Sequence, residues 1–268
     1  MSTIINGVGR VGIRVAPQSG GGGGYTTRTQ AFATATGIAD TTILNALNTF
    51  DLGLISNGLD TKMKALYPFV GGTANTHKFN FMNTTLYQIT WNGGITHSSN
   101  GFQGNGINGY GNTGLNAAIL NLNNTSIGSY LRTNIAENSI DIGCTTGAYQ
   151  LYIFPKYSDG RMYRAVFSDN SSISMNNTLG LFIASRLSST SQNFYKNGIS
   201  TLTTSENSTS QPNLNILIGA SGYISGGAWR YSTRQHAFDF IGDGLTDAES
   251  TTFYNLVQTL QTSLGRQV

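Results

Sequence analysis

The chain has 268 residues, 15 of them basic and 12 acidic, a net charge of +3 that is too slight to point to a nucleic-acid partner. Only 10% of residues are charged, against the usual ~25%, and no run approaches the ~20 apolar residues of a membrane-spanning helix. The single cysteine, Cys144, excludes a disulfide framework or a cysteine metal cluster within the chain. Gly, Asn, Ser and Thr stand where charges usually stand. They favour turns and disfavour helix interiors, while 38% hydrophobic residues supply a core and argue against disorder. So uncharged a surface also suits packing against other subunits.

The opening segment lacks a basic stretch followed by an apolar run, so no secretory signal is expected. Ile4, Ile5, Val8, Val11 and Ile13, with Arg10 and Arg14, make an apolar, weakly basic tail. Gly20 to Gly24 then form a flexible linker. Such a tail has no core of its own, so residues 1–24 are expected to be a docking arm that orders on a partner. Residues 25–64 read as a helical connector. Asp40 is a plausible N-cap, and Ile43, Leu44, Leu47, Phe50 and Leu54 share one helical face.

From Ala65 the period changes to that of strands, and residues 65–268 are expected to form one β domain. Leu66–Val70, His77–Phe81 and Leu86–Trp91 come first. A long Gly- and Asn-rich loop is expected from Trp91 to Leu115. Further strands follow at Ile127–Thr133, Tyr149–Phe154, Met162–Phe167, Leu181–Arg186 and Asn193–Lys196. Asn197-Gly198 turns the chain into Ile199–Thr203, because both turn residues tolerate positive φ. Leu214–Ile218 and Ala237–Ile241 are the last strands. Many short strands with polar turns mean a sandwich or barrel. Thr246-Asp-Ala-Glu249 is a capping box for a closing helix with Phe253, Val257, Leu260 and Leu264 on one stripe.

Residues 65–266 resemble concanavalin A-like, laminin G-like jelly rolls. The resemblance is carried by Ala65-Leu-Tyr-Pro-Phe-Val-Gly71, Phe194-Tyr-Lys-Asn-Gly198 and Ile216-Leu-Ile-Gly219. It extends through Phe238-Asp-Phe-Ile-Gly-Asp-Gly-Leu-Thr-Asp-Ala-Glu249 to Leu264-Gly-Arg266. This form of the domain looks like those of structural proteins from tailed bacteriophages, as a head fibre, decoration protein or tail appendage. The resemblance implies a jelly-roll sandwich preceded by an extended arm and one N-terminal helix and closed by an amphipathic helix. It implies a virion component, assembled in the host cytoplasm, that docks other virion proteins through residues 1–24. Members of the fold often bind glycans and some bind calcium; no ligand set carries over, so no cofactor is expected.

Three chemistries compete with a structural role. Gly7-Val-Gly9 and Gly12 spell G-x-G-x-x-G, and Cys144-Thr-Thr146 echoes a dehydrogenase nucleophile. The fingerprint needs a following helix to hold the pyrophosphate, and Pro17 and the pentaglycine prevent one. Cys144 reads as a buried small hydrophobe. A glycosidase needs paired carboxylates, and no strand carries two on alternate positions. A lyase would want a Tyr/His/Arg cluster, and Arg230, Tyr231, Arg234 and His236 are the place to look. No enzyme is expected. Within the 91–115 loop, Trp91, His97, Phe102 and Tyr110 suit a host-surface glycan: rings stack on a pyranose face while Asn amides bond hydroxyls. The arm and helix suggest self-association, with a trimer favoured.

Overall fold

The computed structural model describes residues 24–168, 170–224 and 226–268. Ile4, Ile5, Val8, Arg10, Val11, Ile13 and Arg14 of the expected arm, and the G-x-G-x-x-G run, lie outside the described residues. Two helices come first, α1 (Thr27–Thr36) and α2 (Thr41–Ser56), where the sequence predicts one. Phe32 is the only large apolar residue of α1, so no stripe marks it; its ends fix it instead. The Thr26 hydroxyl accepts the Thr29 N–H, and Gly37 closes the helix at φ 71°. α2 starts at the expected cap, with Asp40 accepting the N–H groups of Thr42 and Ile43. Buried Asp51 ties the two helices together, accepting the Thr26 hydroxyl and pairing with Arg28.

β1 (Met63–Tyr67) is followed by a one-turn helix, α3 (Ala74–His77). Next come β2 (Thr90–Asn92), β3 (Ile95–Ser98), β4 (Gly101–Gly104), β5 (Tyr110–Asn116) and β6 (Thr125–Leu131). β7 (Ile142–Thr145), β8 (Gln150–Phe154), β9 (Arg161–Val166) and β10 (Ser171–Ser174) make a meander. β11 (Gly180–Ser188), β12 (Ser191–Lys196) and β13 (Ile199–Thr204) make another. β14 (Asn215–Ile218), β15 (Ser221–Tyr223), β16 (Ala228–Trp229) and β17 (Gln235–Gly242) lead into α4 (Asp247–Ser263).

Three segments differ from expectation. Of the expected strand Leu86–Trp91, only Thr90 and Trp91 lie in a strand. His77–Phe81 is not a strand: Thr73 caps α3 through a reciprocal box with Thr76. The Asn80 side chain then accepts the N–H groups of Leu66 and Met82. A side chain that satisfies backbone donors releases the chain from the ladder. The run from Trp91 to Leu115 is not a loop; it holds parts of β2 and β5 and all of β3 and β4. Its glycines permit this. At Gly101, φ is 114° and a Cβ would lie 1.9 Å from the His236 carbonyl oxygen, so β4 can lie against β17 only with glycine there.

The strands form two sheets. The first has the order β13-β12-β11-β6-β17-β4-β3, with β1 also on β17. The second has the order β10-β9-β8-β7-β14-β5-β2, with β15 on β7 and β16 on β15. This is a mainly β, two-sheet jelly-roll sandwich. The predicted Asn197-Gly198 turn joins β12 to β13 with φ 51° and 74°. Alternation sorts the side chains. Phe182 and Ala184 of β11 enter the inter-sheet core with Ile127, Ile153, Ile216 and Cys144. Burial pushes the Cys144 thiol pKa up, away from reactivity.

Leu181 and Ile183 face outward, where α2 and α4 cover the first sheet. Phe253 lies 4.7 Å from Phe240, and Phe50 lies 5.6 Å from Phe238, between ring centroids. α4 begins at the expected Thr246–Glu249 box. Beyond it, buried Arg266 donates to the carbonyls of Phe69, Ser99 and Ala237 and pins the end of the chain to the sandwich. The helices are thus a third layer. Phe253→Ala is expected to cost about 3–5 kcal/mol in urea unfolding, the range for emptying a buried aromatic site. A cost under about 1 kcal/mol would show that α4 lies outside the cooperative unit.

Candidate functional site

The outer face of the second sheet is different. α1, α2 and α4 all bury their apolar residues on the first sheet. On the second sheet, the outward cluster consists of Ile140, Tyr152, Phe154 and Ala165, with Tyr157 and Tyr163 against it. The local sequence explains this. β8 reads Gln-Leu-Tyr-Ile-Phe, large at nearly every position, so Leu151 and Ile153 fill the core while Tyr152 and Phe154 point away from it. Gly143 on the neighbouring strand makes room: at φ 143°, a Cβ would lie 2.1 Å from the Leu151 carbonyl oxygen and 2.6 Å from Tyr152 Cα.

A cleft of about 320 Å³ opens among these rings. Tyr157 packs edge-on to Phe154 at 5.3 Å and to Tyr163 at 6.0 Å. The β15–β16 hairpin supplies the other wall, with Tyr223 5.2 Å from Trp229, which is 40% exposed. Arg230 follows at φ 58°, in the left-handed region, and its carbonyl accepts the Ile140 N–H at 3.0 Å. Its guanidinium carbon lies 4.0 Å from the Trp229 ring centroid and 5.4 Å from that of Phe154. Gln150 and Asn170 add amides to the lining. Burial pushes the Tyr152 phenol up to about 12, so it stays a neutral hydroxyl.

A second cleft of about 220 Å³ lies across Tyr223 on the same face, lined by Tyr110 and by Asn112, Asn116, Asn213 and Asn215. Its amides pair with one another, Asn116 to Asn213 at 3.0 Å and Asn215 to Asn112 at 3.2 Å.

Between the sheets, beneath the first cleft's hairpin wall, runs a buried polar network. Asp141 accepts from Arg234 at 2.6 Å, from the Ser232 hydroxyl at 2.6 Å and from His236 Nε2 at 3.0 Å. The other His236 nitrogen faces Asp239 at 3.0 Å, and Glu137 accepts from Ser139, Ser232 and Thr233. Burial alone would lower the His236 pKa, but the Asp239 carboxylate and the bond to Asp141 raise it to about 9. Burial alone would raise Asp141, but Arg234 and His236 bring it below the usual carboxylate range. The candidate lyase cluster is therefore divided. Arg234 and His236 are fully buried in this network, whereas Arg230 lines the open cleft. Tyr231 donates to the Ala228 carbonyl at 2.8 Å.

The four residues proposed for sugar stacking are also divided. Trp91, His97 and Phe102 do come together, with Trp91 4.7 Å from His97 and 4.9 Å from Phe102. Phe102, however, is fully buried in the inter-sheet core and stacks on His236 at 4.6 Å. His97 packs against His77, whose pKa burial lowers to about 3, and the Trp91 indole donates to the Ala74 carbonyl. Tyr110 alone lines a surface cleft, beside Tyr231 at 6.1 Å. Arg230 stands out in the sequence, but for a lyase cluster; Tyr152, Phe154, Tyr157 and Tyr163 are legible only indirectly: a strand large at both parities needs cover on both faces, and no helix follows β8 to give it. Among the described residues, no group of three or more His, Cys, Asp and Glu side chains is placed to hold a metal ion, so the calcium implied by resemblance finds no such donor set.

No known protein family matches the chain by sequence, and no curated protein does. Solved structures resemble part of the chain at low identity. One is domain 4 of the GH43 extracellular arabinanase AbnA from Geobacillus stearothermophilus, in complex with arabinotriose. It is 14% identical, with 72% of this chain and 98% of that one covered and a TM-score of 0.45. The botulinum neurotoxin serotype D binding domain is 9% identical, with 73% of this chain covered and a TM-score of 0.49. The binding domain of Paraclostridial Mosquitocidal Protein 1 is 9% identical, with 73% covered and a TM-score of 0.48. This chain spans about half the length of these last two, 52% of each.

The network makes stability depend on pH. A histidine whose pKa rises from 6.5 to about 9 on folding adds stability that is complete below about 6.5 and is lost as pH rises through about 9. The urea midpoint is expected to fall between pH 7 and 10 in the wild type. In His236→Gln it should be lower at pH 7 and flatter across that window. Parallel profiles for the two proteins would refute a charged His236.

Proposed function

We propose that the chain is a non-catalytic glycan-binding module whose ligand surface is the cleft at Trp229 and Tyr157. One observation carries this reading. The outer face of the first sheet is sealed by helices, while the outer face of the second presents rings to solvent around a cleft. Aromatic rings offer a flat apolar surface for the C–H face of a sugar, and the Gln150 and Asn170 amides are in reach of hydroxyls. A glycosidase would need paired carboxylates in the cleft. The described lining has no carboxylate, and nearby Glu137 and Asp141 are engaged in the buried network.

The setting we propose is the exterior of a tailed-phage particle. Residues 1–24 would dock other virion proteins, and the chains would assemble as a homo-oligomer, with a trimer favoured. This rests on the sequence resemblance and on the glycine-tethered apolar tail. The protein should then be found in the mass spectrum of purified particles, and an antibody to residues 66–268 should label them. Absence by both measures would remove the virion setting and leave the binding module standing.

Binding is tested by retention of the full chain on immobilised polysaccharides. Trp229→Ala and Tyr157→Ala should each weaken retention roughly tenfold or more, the equivalent of about 1.4 kcal/mol, with unchanged melting temperatures. Trp91→Ala should lower stability instead, since that ring packs on Phe69 and Phe102. Unchanged retention in both cleft variants would sink this site.

A further inference from the structure

We infer that the ligand of this cleft is an acidic saccharide whose carboxylate is received by Arg230. The inference rests on the binding reading above and adds the ligand's charge. Arg230 is the only charged residue in the described lining. It also stands apart from every other arginine of the described chain. The other seven each donate to a carboxylate, a carbonyl or a hydroxyl of the protein. The Arg230 guanidinium has ring contacts with Trp229 and Phe154 and no hydrogen bond or ion pair to any described residue. Its N–H donors are held beside a cleft, without an acceptor among the described residues.

The backbone points the same way. At φ 58°, glycine or asparagine would be the ordinary choice. An arginine there is not explained by local conformation, and the residue is anchored by its carbonyl to Ile140. Among the described residues, the exposed Asp159 accepts from the Tyr163 hydroxyl at 2.7 Å and from the Arg161 backbone. It is outside the lining. Guanidinium is a planar fork that matches a carboxylate with two parallel hydrogen bonds. Stacked on Trp229, it is already oriented, while the neighbouring rings take the sugar's apolar face. The ligand that satisfies both is a ring bearing a carboxylate, as in uronic or nonulosonic acids. A neutral sugar would leave the guanidinium unpaired.

The test is retention of the full chain, wild type and variants, on a panel of immobilised polymers. The acidic members are polygalacturonate, hyaluronate and polysialic acid, each beside its carboxyl-reduced form. Dextran sulfate supplies an anion without carboxylates, and arabinan and galactan are neutral. Retention on at least one acidic polymer is expected, with a loss of roughly ten- to a hundredfold on carboxyl reduction and in Arg230→Gln, as for a hydrogen bond to a charged group. Arg230→Lys should recover only part, and added salt should weaken the wild type more than Arg230→Gln. Equal retention of reduced and acidic forms, retention of neutral polymers only, or of dextran sulfate only, overturns the carboxylate inference and leaves the glycan site in place. Retention of none of the polymers by the wild type overturns both. Melting temperatures of the Arg230 variants within a few degrees of wild type exclude unfolding as the cause.

Discussion

Asp141 is a fully buried carboxylate that receives Arg234, Ser232 and His236 at once, and much of the molecule's geometry follows from that convergence. It precedes β7 of the second sheet, while Arg234 and His236 lead into and begin β17 of the first. The interaction therefore clamps one sheet to the other through charge as well as through packing. Breaking one partner of such a buried pair typically costs about 3–5 kcal/mol, because the remaining charge has no water to turn to. Here the other donors of Arg234 are satisfied too: it also donates to the carbonyls of Ile135 and Lys156. The clamp reaches the surface through a short lever. Ile140, next to Asp141, bonds the backbone of Arg230, four residues before Arg234. What holds the sheets together thus also fixes the wall of the cleft.

The two outer faces of the sandwich follow opposite logic. Every strand of a sandwich has a side that points away from the core, and an apolar outer side must be covered or must serve a purpose. On the first sheet, Phe238 and Phe240 are covered by Phe50 and Phe253. On the second, Tyr152, Phe154, Tyr157 and Tyr163 are covered mainly by one another and by a hairpin. Most of them carry a hydroxyl, and Arg230, the one cation in the described lining, lies on a ring. A face meant for burial under a helix would favour Leu and Phe, as the first sheet does.

The legible parts of the sequence are those whose physics is local. The Thr246–Glu249 box, the Asp40 cap and the Asn197-Gly198 turn each need only a few neighbouring residues, and each stands where it is predicted. The segment from Trp91 to Leu115 shows the opposite case. Its glycines read as loop by composition, but they are required by close approach: Gly101 lies under the backbone of β17, 136 residues later at Ala237. Contacts at that separation leave no local signature. The same holds for the candidate site. Trp91 and Phe102 read as surface rings within a presumed loop, and the fold turns them inward. Tyr152 and Phe154 read only as members of a strand, and alternation turns them outward. Parity along a strand is visible in sequence; which parity faces the other sheet is not.

The two surface clefts differ in what a ligand would have to displace. In the Asn-lined cleft, amides are already paired across it, so a sugar hydroxyl must exchange one good hydrogen bond for another. In the aromatic cleft, the rings need no partner and the guanidinium has none among the described residues. Holding a non-glycine residue in the left-handed region costs on the order of 1–3 kcal/mol, and the clamp through Ile140 and Asp141 sustains it. That strain has a return at binding. An arginine free in solvent loses much of its rotamer freedom when it grips an anion, whereas one already stacked on Trp229 loses less, so more of the contact energy remains as affinity. In the proposed binding role, preorganisation of this kind would place the weight of recognition on the aromatic cleft and leave the asparagine cleft a supporting surface.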